Sequence, residues 1–596
     1  MMQVIATAGH VDHGKSTLIR ALTGIEPDRL AEEERRGLTI DLGFAWTALP
    51  SGREVSFVDV PGHERFLGNM LAGLGPAPIV CFVVAADDGW QAQSGDHRDA
   101  IAALGIDQGL IVITRTDLAP DRVAQVIAEA RSELAGTGLD GAPAIGVSAV
   151  TGQGLEELRT LLDAAVAGAR EPSAVQRVRL WVDRSFSISG AGTVVTGTLA
   201  AGTLRREDRL ALCGADRSGE VVVRGLQSRG GQIPQLGPVS RAAVNLRGVS
   251  TEEIGRGDVL LTPDAWELPH LLDVRRSTGA SLEQAPQQLV AHVGTAAVGV
   301  RVRPLGPDHA RLTLDRPLPL QLGDRLVLRS SGSHSVRNGV QVLDLDPPSL
   351  ERRGDGARRR AVLERMPPGG DLTVEVRRRG AVRESFLLRC GIAIPAPLPE
   401  TVHRHGGWLV DAEALTGWTE QLGRSVAQHR RADPLTAGLP RKAAIDALAV
   451  PDEALLDMVV AAAGLSQHEG RVRDAESGRD LGAAEAGVRA LEERLARSPF
   501  AAPEADDLAA LGLGPRELAA AAAQGRLLRL PDEVILLPSA PALAMRELAA
   551  LPQPFTTSEA RRALATTRRV AIPLLEHLDG RGWTRRPDPG HREVVR

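Results

Sequence analysis

The sequence is poor in several residue types. None of its 596 residues is tyrosine, and aromatic residues make up 3% of the chain. Lysine stands only at Lys15 and Lys442, so arginine carries nearly all of the positive charge. The three cysteines, Cys81, Cys213 and Cys390, are too far apart for a CxxC metal pair or a disulfide framework, which predicts a reducing, cytoplasmic location.

Long apolar runs are also missing. No stretch of about 18 apolar residues occurs, and the N-terminus lacks the basic region and cleavage site of a signal peptide, so we expect no membrane contact. At 596 residues the chain is too long for one core, which predicts several domains. A net charge of −5 argues against general attraction to nucleic acid, so any RNA contact must come from local basic patches.

Strand and helix patterns alternate over the first part of the chain. Apolar strands such as IVCFVVAADD and LIVITRTD are separated by amphipathic stretches such as DRVAQVIAEARSEL. This alternation predicts a mostly parallel sheet covered on both faces, with ligands at the carboxyl ends of the strands. We therefore predict an α/β P-loop GTPase domain over residues 1–172.

The pattern changes twice after this domain. Short strands separated by turn residues predict two β-barrels, over residues 173–262 and 263–347. The rest is rich in helix and alanine, with hairpin-like pieces such as GRLLRLPDEVILLP and RGWTRRPDPGHREVV. We predict an α+β tail of tandem winged helices, with a generic helical domain as the alternative. The predicted winged helices comprise residues 348–411, 412–480, 481–538 and 539–596.

A phosphate-binding loop follows the first predicted strand. GHVDHGKS fits the pattern GxxxxGK[ST], in which backbone N–H groups and a helix N-terminus bind phosphates. Lys15 is predicted to reach the β- and γ-phosphates, and Ser16 to ligate Mg²⁺. The predicted nucleotide-binding residues of this segment are Gly9, His10, Val11, Asp12, His13, Gly14, Lys15, Ser16 and Thr17.

Two later segments are placed to respond to the γ-phosphate. Asp59 and Gly62 form a DxxG pattern after a strand, where the carboxylate can hold the water shell of Mg²⁺ and the Gly62 N–H can meet the γ-phosphate. Thr39 lies between the two loops and is predicted to bind Mg²⁺ in the GTP state only. A threonine in a loop is otherwise usually a turn residue, so this role depends on the order of the motifs.

His63 directly follows the DxxG pattern. Small GTPases such as Ras carry a water-orienting glutamine at this place. A histidine can position the attacking water, so His63 is the predicted catalytic residue, with Val11 and Ile40 as an apolar gate beside it.

Base selection is predicted at the ends of two later strands. The Asp117 carboxylate in TRTD can accept from guanine N1–H and N2–H₂, which adenine does not supply, and Ser148 and Ala149 would contact guanine O6. TRTD departs from the usual NKxD, because Thr114 replaces asparagine and Arg115 replaces lysine. Asp117, the discriminating residue, remains, so we predict that the nucleotide is GTP.

Three segments together carry a family resemblance. GHVDHGKS, RGLTIDLGF and DVPGHERF resemble the elongation factor Tu-like translational GTPases, and GAGTVVTGT resembles the start of their second domain. TIDLGFA, DVPGHERFLGNMLAG and VDRSFSISGAGTVVTGT are similar to the SelB family of bacterial selenocysteine-specific elongation factors. FTTSEARRALATTRRVAIPLLEHLDGRGWTRR resembles the last winged helix of that family. The specific matches lie in residues 1–200 and 555–587; elsewhere the resemblance is one of architecture.

The resemblance implies a function and partners. Members of this family bind selenocysteinyl-tRNA through their three N-terminal domains and an mRNA hairpin beside an in-frame UGA codon through their C-terminal winged helices. GTP hydrolysis on the ribosome releases the tRNA. The implied cofactors are GTP and Mg²⁺, and we expect a monomer. Asp183, Arg184 and Arg241 match the family's aminoacyl pocket, where positive charge can favour a selenolate over a neutral serine hydroxyl.

The C-terminal end is basic. From residue 557 to 596 nine arginines stand against five acidic residues, a local net charge of +4. Arg568 and Arg569 begin an apolar helix, whose N-terminus also favours phosphate. Arg585 and Arg586 lie in the predicted wing. These four arginines are the predicted RNA contacts.

Other functions share part of this pattern. An ordinary elongation factor Tu or a translation initiation GTPase would share the nucleotide motifs but not the long tail. A GTP-sensing winged-helix regulator that binds nucleic acid would explain the tail, but it has no need of two barrels that could hold a tRNA.

Overall fold

The computed structural model describes most of the chain. The first four residues of RRGLTIDLGF, Ala191 in GAGTVVTGT and the last six residues of the segment 412–480 lie outside the described residues. The described residues are 2–27, 39–169, 172–190, 192–215, 217–332, 335–433, 436, 438–474 and 481–595.

The chain forms two compact units. The first comprises Met1–Glu375 and Arg383–Pro397, and the second comprises Val376–Val382 and Leu398–Arg596. In the described ranges of both units, no helix is long and apolar enough to cross a membrane.

The first unit begins with a six-stranded sheet. Its strands are β1 (Met2–Ala8), β2 (Gly43–Ala48), β3 (Glu54–Asp59), β4 (Ile79–Ala85), β5 (Gly109–Thr114) and β6 (Ala144–Gly146). They lie in the order β2-β3-β1-β4-β5-β6, with β2 antiparallel to β3 and the other neighbours parallel. Every residue of β4 is buried, as expected of a central strand covered on both faces.

Helices cover both faces of this sheet. They are α1 (Lys15–Thr23), α2 (Leu67–Leu74), α3 (Ala92–Leu104), α4 (Val123–Leu134) and α5 (Leu155–Gly168). Leu18 and Leu158 are buried in one core, so α1 and α5 share a face, whereas Met70, Ile101 and Val126 place α2, α3 and α4 in the other. The predicted α/β fold of this domain is confirmed.

Two closed barrels follow. The sheet of the first contains β7 (Arg179–Ile188), β8 (Gly192–Leu199), β10 (Arg209–Cys213), β11 (Ser218–Ser228), β12 (Gly231–Ile233), β14 (Ser240–Arg247) and β15 (Val259–Leu261), while β9 (Leu204–Arg205) and β13 (Gln235–Leu236) form a separate two-stranded sheet. Pairing of β10 with both β15 and β11 closes its ring. The second barrel contains β16 (Leu271–Gly279), β17 (Gln288–Val293), β18 (Ala296–Pro304), β19 (His309–Leu314), β20 (Arg325–Arg329) and β21 (Asn338–Asp344).

Helix α6 (Asp355–Leu363) attaches the start of the tail to the second barrel. Arg359 Nε donates to Asp273 Oδ2 at 2.7 Å, and its guanidinium also pairs with Asp344. Arg311 Nε donates to the other Asp273 oxygen at 2.7 Å. These side chains are buried, where charges are stable only when paired. This network accounts for a unit boundary inside the segment 348–411 instead of at its start.

The tail repeats one pattern. In the described part of each predicted segment, three helices precede a two-stranded hairpin, so the predicted tail of tandem winged helices is confirmed. The helices are α6, α7 (Leu372–Arg379), α8 (Glu384–Arg389), α9 (Ala412–Ala432), α10 (Arg441–Leu448), α11 (Leu456–Ala462), α12 (Glu485–Arg497), α13 (Ala505–Ala510), α14 (Pro515–Ala523), α15 (Ala540–Ala549), α16 (Thr557–Ala563) and α17 (Arg568–Gly580).

The tail strands are short. They are β22 (Ala381–Arg383), β23 (Val402–His405), β24 (Trp408–Asp411), β25 (Leu439–Pro440), β26 (Leu465–His468), β27 (Arg471–Asp474), β28 (Leu528–Leu530), β29 (Val534–Leu536), β30 (Phe555–Thr556), β31 (Thr584–Asp588) and β32 (His591–Val594). Leu491, Leu536, Phe555 and Leu574 belong to one hydrophobic core. The segments 481–538 and 539–596 are therefore packed together as one body.

Candidate functional site

The phosphate-binding loop connects β1 to α1. Gly9 has φ +129° and Gly14, the N-cap of α1, has φ +77°, backbone conformations that glycine adopts without strain. Lys15 is buried, and its Nζ donates to the carbonyl oxygens of Gly9 at 3.1 Å and His10 at 2.7 Å. The ammonium group is therefore held at the centre of the loop, where the sequence places the phosphates.

Gly62 lies directly against this loop. A Cβ atom at Gly62 would stand 2.6 Å from Lys15 Nζ and 2.8 Å from Val11 Cα, so no larger side chain fits. The DxxG segment is therefore in contact with the phosphate-binding loop. This contact is what a γ-phosphate sensor at Gly62 needs.

Oxygen atoms that suit Mg²⁺ converge beside Lys15. Ser16 Oγ lies 3.1 Å from Thr39 Oγ1. Asp59 accepts a 2.6 Å hydrogen bond from Thr7 through Oδ1, whereas Oδ2 is buried without a hydrogen-bond partner among the described residues. Burial raises the pKa of Asp59, with the nearby Lys15 charge acting in the opposite direction. Hydroxyl and carboxylate oxygens are ligands that Mg²⁺ prefers, so these residues fit the ion.

The base-selecting segments are bonded to the same loop. The Thr114 hydroxyl donates to the His13 carbonyl oxygen at 2.7 Å, and Arg115 donates to that of Asp12. Thr114 and Arg115 thus contact the phosphate-binding loop although they depart from NKxD. The Thr116 N–H donates to Val147 O at 3.3 Å, which brings the TRTD turn beside the Ser148-Ala149 turn.

The guanine-contacting candidates differ in exposure. Asp117 is exposed at the end of β5, whereas Ser148 is fully buried and its Oγ accepts from the Thr151 N–H at 3.1 Å. Ala149 is half-buried beside it. The Asp117 carboxylate, next to this fixed turn, can accept hydrogen bonds from a base that approaches from solvent.

His63 is engaged locally. Its Nδ1 accepts the Arg65 N–H at 3.2 Å, and its ring lies 6.1 Å from that of Phe66. Val11 and Ile40, the predicted gate, are half-buried, and Asn69 of α2 donates to Ile40 O at 2.9 Å. The predicted catalytic side chain is thus oriented by its own turn.

The predicted pocket residues lie between the first barrel and the β2 segment. Arg241 forms a bidentate ion pair with Asp183, with one N–O distance of 2.7 Å, and its guanidinium stacks 3.8 Å from the centre of the Phe44 ring. Thr196 donates to Asp183 at 2.6 Å. Asp183 and Arg241 are therefore brought together, as predicted for a shared pocket.

Arg184 pairs with a different carboxylate. Its Nη2 donates to Asp41 Oδ2 at 2.9 Å, and Arg256 donates to Asp41 Oδ1 at 2.8 Å. Burial tends to raise the pKa of Asp41, but the two guanidinium groups and backbone hydrogen bonding outweigh it, so this pKa is lowered. Asp41 is two residues from Thr39, so the proposed metal ligand and the predicted pocket are neighbours.

Comparison with known proteins assigns the family. Family models match for the elongation factor Tu GTP-binding domain over residues 1–168, the β-barrel domain of selenocysteine-specific elongation factor over 271–349, and the winged helix of elongation factor SelB over 546–592. The selenocysteine-specific elongation factor of Desulfomicrobium baculatum is 33% identical over 470 residues, which cover 74% of this chain and 73% of that protein.

The chain belongs to the selenocysteine-specific elongation factor (SelB) family. The Escherichia coli factor is 38% identical over 352 residues, covering 59% of this chain and 56% of that protein. A crystal structure of bacterial selenocysteine-specific elongation factor EF-Sec covers 100% of both chains with a TM-score of 0.72 and 24% identity, which supports the fold. As a SelB-family protein with an elongation factor Tu GTP-binding domain, the chain is a translational GTPase.

The arginines at the end of this SelB-family tail differ in their contacts. Arg569 donates to Pro503 O at 2.9 Å and pairs with Glu504 at 3.2 Å. Arg585 pairs with Glu593, and Arg586 with Asp579 and Glu576. Arg568 is exposed at the start of α17 and makes no ion pair within the described residues. Among the four predicted RNA contacts, Arg568 is therefore the one whose guanidinium has no ion pair in the part of the chain that the structure describes.

Two side chains that were not predicted from the sequence contact the phosphate-binding loop of this GTPase. His97 Nδ1 accepts the Gly9 N–H at 3.0 Å, and Gln93 Oε1 accepts the Val11 N–H at 3.3 Å. Both side chains come from α3, one helical turn apart. Their four-residue spacing was a signal, because it places two polar groups on one helix face.

Proposed function

We propose that this SelB-family GTPase delivers selenocysteinyl-tRNA to the ribosome at in-frame UGA codons and binds an mRNA hairpin through its winged helices. One observation carries this proposal. Asp41 follows the proposed metal ligand Thr39 by two residues and pairs with Arg184 of the first barrel at 2.9 Å. Loss of the γ-phosphate would therefore alter the position of Arg184 in the proposed aminoacyl pocket.

Within the nucleotide site we propose roles that follow from position. Lys15 binds the β- and γ-phosphates, while Ser16, Thr39 and the water shell held by Asp59 bind Mg²⁺. The other GTP-binding residues are those predicted above, with Asp117 selecting guanine and Gly62 sensing the γ-phosphate. His63 orients the attacking water.

The aminoacyl pocket is proposed at Asp183, Arg184 and Arg241. Selenols ionise well below neutral pH whereas a serine hydroxyl does not, so fixed guanidinium groups favour the selenolate. The ion pair with Asp183 and the stacking on Phe44 support this proposal, because they hold the Arg241 guanidinium in one place. Charge-assisted contacts are the strong ones in a partly buried pocket.

Filter binding in the presence of GTP tests this pocket. The native protein is expected to retain selenocysteinyl-tRNA far better than seryl-tRNA of the same sequence. Arg184→Ala and Arg241→Ala should each narrow that gap by roughly 10-fold or more, the scale of one charge-assisted hydrogen bond. Arg209→Ala is a matched control, because Arg209 lies on the same barrel in an exposed pair with Glu220. If both pocket variants keep the full difference in affinity between selenocysteinyl-tRNA and seryl-tRNA, the pocket lies elsewhere.

The mRNA contact is proposed in the last winged helix, 539–596, at Arg568, Arg569, Arg585 and Arg586. Duplex RNA hides its major-groove edges, so specificity should come from loop or bulged bases and from hairpin shape. We propose the predicted domain boundaries as well, but the boundary at residue 538 is unsuitable for a truncation. The last two winged helices share a core, so a cut at 538 would expose Leu536 and its neighbours.

Removal of residues 481–596 is therefore the cleaner truncation. It should abolish hairpin binding, because it removes the basic winged helix, and it should leave GTP and tRNA binding intact. Electrophoretic mobility shift with the hairpin, beside nucleotide titration, measures both. A truncated protein that still binds the hairpin tightly would contradict the assignment.

A further inference from the structure

His97 lies on the helix α3, which packs beside the phosphate-binding loop. His97 is buried, at 3% exposure, and its Nδ1 accepts the Gly9 N–H at 3.0 Å. Because Nδ1 is the acceptor, a neutral ring carries its proton on Nε2. Burial lowers the pKa of His97 to about 3, so the ring is neutral at physiological pH.

The Gly62 backbone lies beside the same ring and acts against the lowering of the His97 pKa by burial. Gly9 begins the phosphate-binding loop, and Gly62 is the proposed γ-phosphate sensor, so one imidazole bridges two segments that close around the phosphates. Gln93, one turn earlier on α3, takes the Val11 N–H at 3.3 Å. The N–H groups of Gly9 and Val11 therefore both donate to side chains of one helix, α3.

The opposite end of α3 is held by the second barrel. A Cβ atom at Gly339 would stand 2.6 Å from the Ala103 Cα, and one at Gly105 would collide with the Arg325 side chain. Val327 of β20 lies in the same core as Ile101 of α3. The helix is fixed at both ends, so its histidine is presented to the two loops with little freedom.

We propose that His97 is a positioning residue that couples the phosphate-binding loop to Gly62 and so sets the preference of the site for GTP over GDP. His97 acts on two segments. Its hydrogen bond to Gly9 supports the loop that both nucleotides use, whereas its position beside Gly62 supports the contact that only a γ-phosphate makes. The inference rests on the nucleotide roles proposed above for Lys15 and Gly62.

Nucleotide titrations of the full chain with fluorescent GTP and GDP analogues test this. His97→Ala should weaken GTP binding by roughly 10-fold or more, because both the Gly9 hydrogen bond and the support of Gly62 are lost. It should weaken GDP binding by only about 3-fold, the scale of the one hydrogen bond to Gly9. His97→Asn keeps an acceptor near the Nδ1 position, so it should recover GDP affinity without recovering the GTP preference. His97→Gln reaches the Nε2 position and should recover the preference in part.

The outcomes separate positioning from packing. His309→Ala is the matched control, because His309 is also a buried histidine but lies in the second barrel. Its ratio of GTP to GDP affinity should equal that of the native protein. Equal weakening of both nucleotides in His97→Ala, together with a lowered melting temperature, would overturn the proposal. Failure of the native protein and His309→Ala to bind GTP would instead overturn the proposed nucleotide site.

Discussion

The phosphate-binding loops and the basic C-terminal winged helix are both expected to meet phosphates, yet they are constructed differently. Lys15, Asp59 and His97 are buried, and each is hydrogen-bonded to backbone or to a neighbouring side chain. Arg585 in the last hairpin exposes 73% of its side chain and bonds to Glu593. Arg568 is exposed on the helix that precedes that hairpin.

Each construction suits a different kind of binding. Buried, bonded groups keep their geometry before the ligand arrives, which is what phosphate chemistry needs. Exposed arginines are mobile and screened by salt, and RNA must compete with acids such as Glu593 and Asp579. We therefore expect nucleotide selectivity and the rate of GTP hydrolysis to depend on the phosphate-binding loops. We expect the last winged helix to bind RNA adaptably and in a salt-dependent way.

The largest expected difference between the two regions is in how acid changes their free energy of unfolding. Burial lowers the pKa of His13 to about 4 and that of His97 to about 3, both from 6.5. As pH falls below 6.5 the unfolded chain takes up protons that the folded nucleotide domain does not, so stability is lost, and the loss ends below these folded pKa values. At pH 5 each histidine should cost about 2 kcal/mol of unfolding free energy.

Pulse proteolysis in urea at pH 7 and pH 5, with peptides identified by mass spectrometry, measures this region by region. The urea midpoint of residues 2–169 should fall steeply. His13→Gln or His97→Gln, which do not titrate, should reduce the pH dependence. Equal pH dependence in the native protein and both variants would show that these histidines are not buried neutral.

His63→Ala should produce the next largest effect. GTP binding should be unchanged, because His63 hydrogen-bonds only within its own turn in the described structure. Ribosome-stimulated hydrolysis should fall by roughly 10²-fold or more, the scale of a lost water-positioning group. Single-turnover hydrolysis on ribosomes is the measurement. His270→Ala, at an exposed histidine between the barrels, is the control, and an unchanged rate in His63→Ala would remove it from the mechanism.

Motifs with a fixed local geometry could be predicted from sequence. GHVDHGKS requires a strand, a glycine turn and a helix in that order, and the chain has β1, the loop and α1 there. Alternating strand patterns and turn residues likewise indicated both barrels, and the hairpin-like segments indicated the tail. In these cases the residues that determine the element are its own neighbours, so no tertiary information was needed.

Pairings between distant segments could not be predicted. Asp41 with Arg184, or Arg359 with Asp273, join residues far apart in sequence, and many arginines were equal candidates for each acid. The hydrogen bond from Thr114 to His13 O could not be predicted either, because it depends on how β5 lies beside the phosphate-binding loop. The spacing of Gln93 and His97 indicates a shared polar helix face, but the backbone groups that they contact depend on how the loop lies beside α3.

The smallest effect should come from single arginines in the last winged helix. Arg568→Ala should weaken the mRNA hairpin by about 1–3 kcal/mol, the range for a lost base-stacking contact. Arg585→Ala should cost less than about 1 kcal/mol, because its guanidinium is already paired with Glu593 and its gain on binding RNA is offset by losing that pair. Electrophoretic mobility shift at two salt concentrations measures both, and thermal unfolding confirms that neither variant is misfolded. Larger losses for Arg585→Ala than for Arg568→Ala would mean that the wing, and not the start of α17, carries the RNA contact.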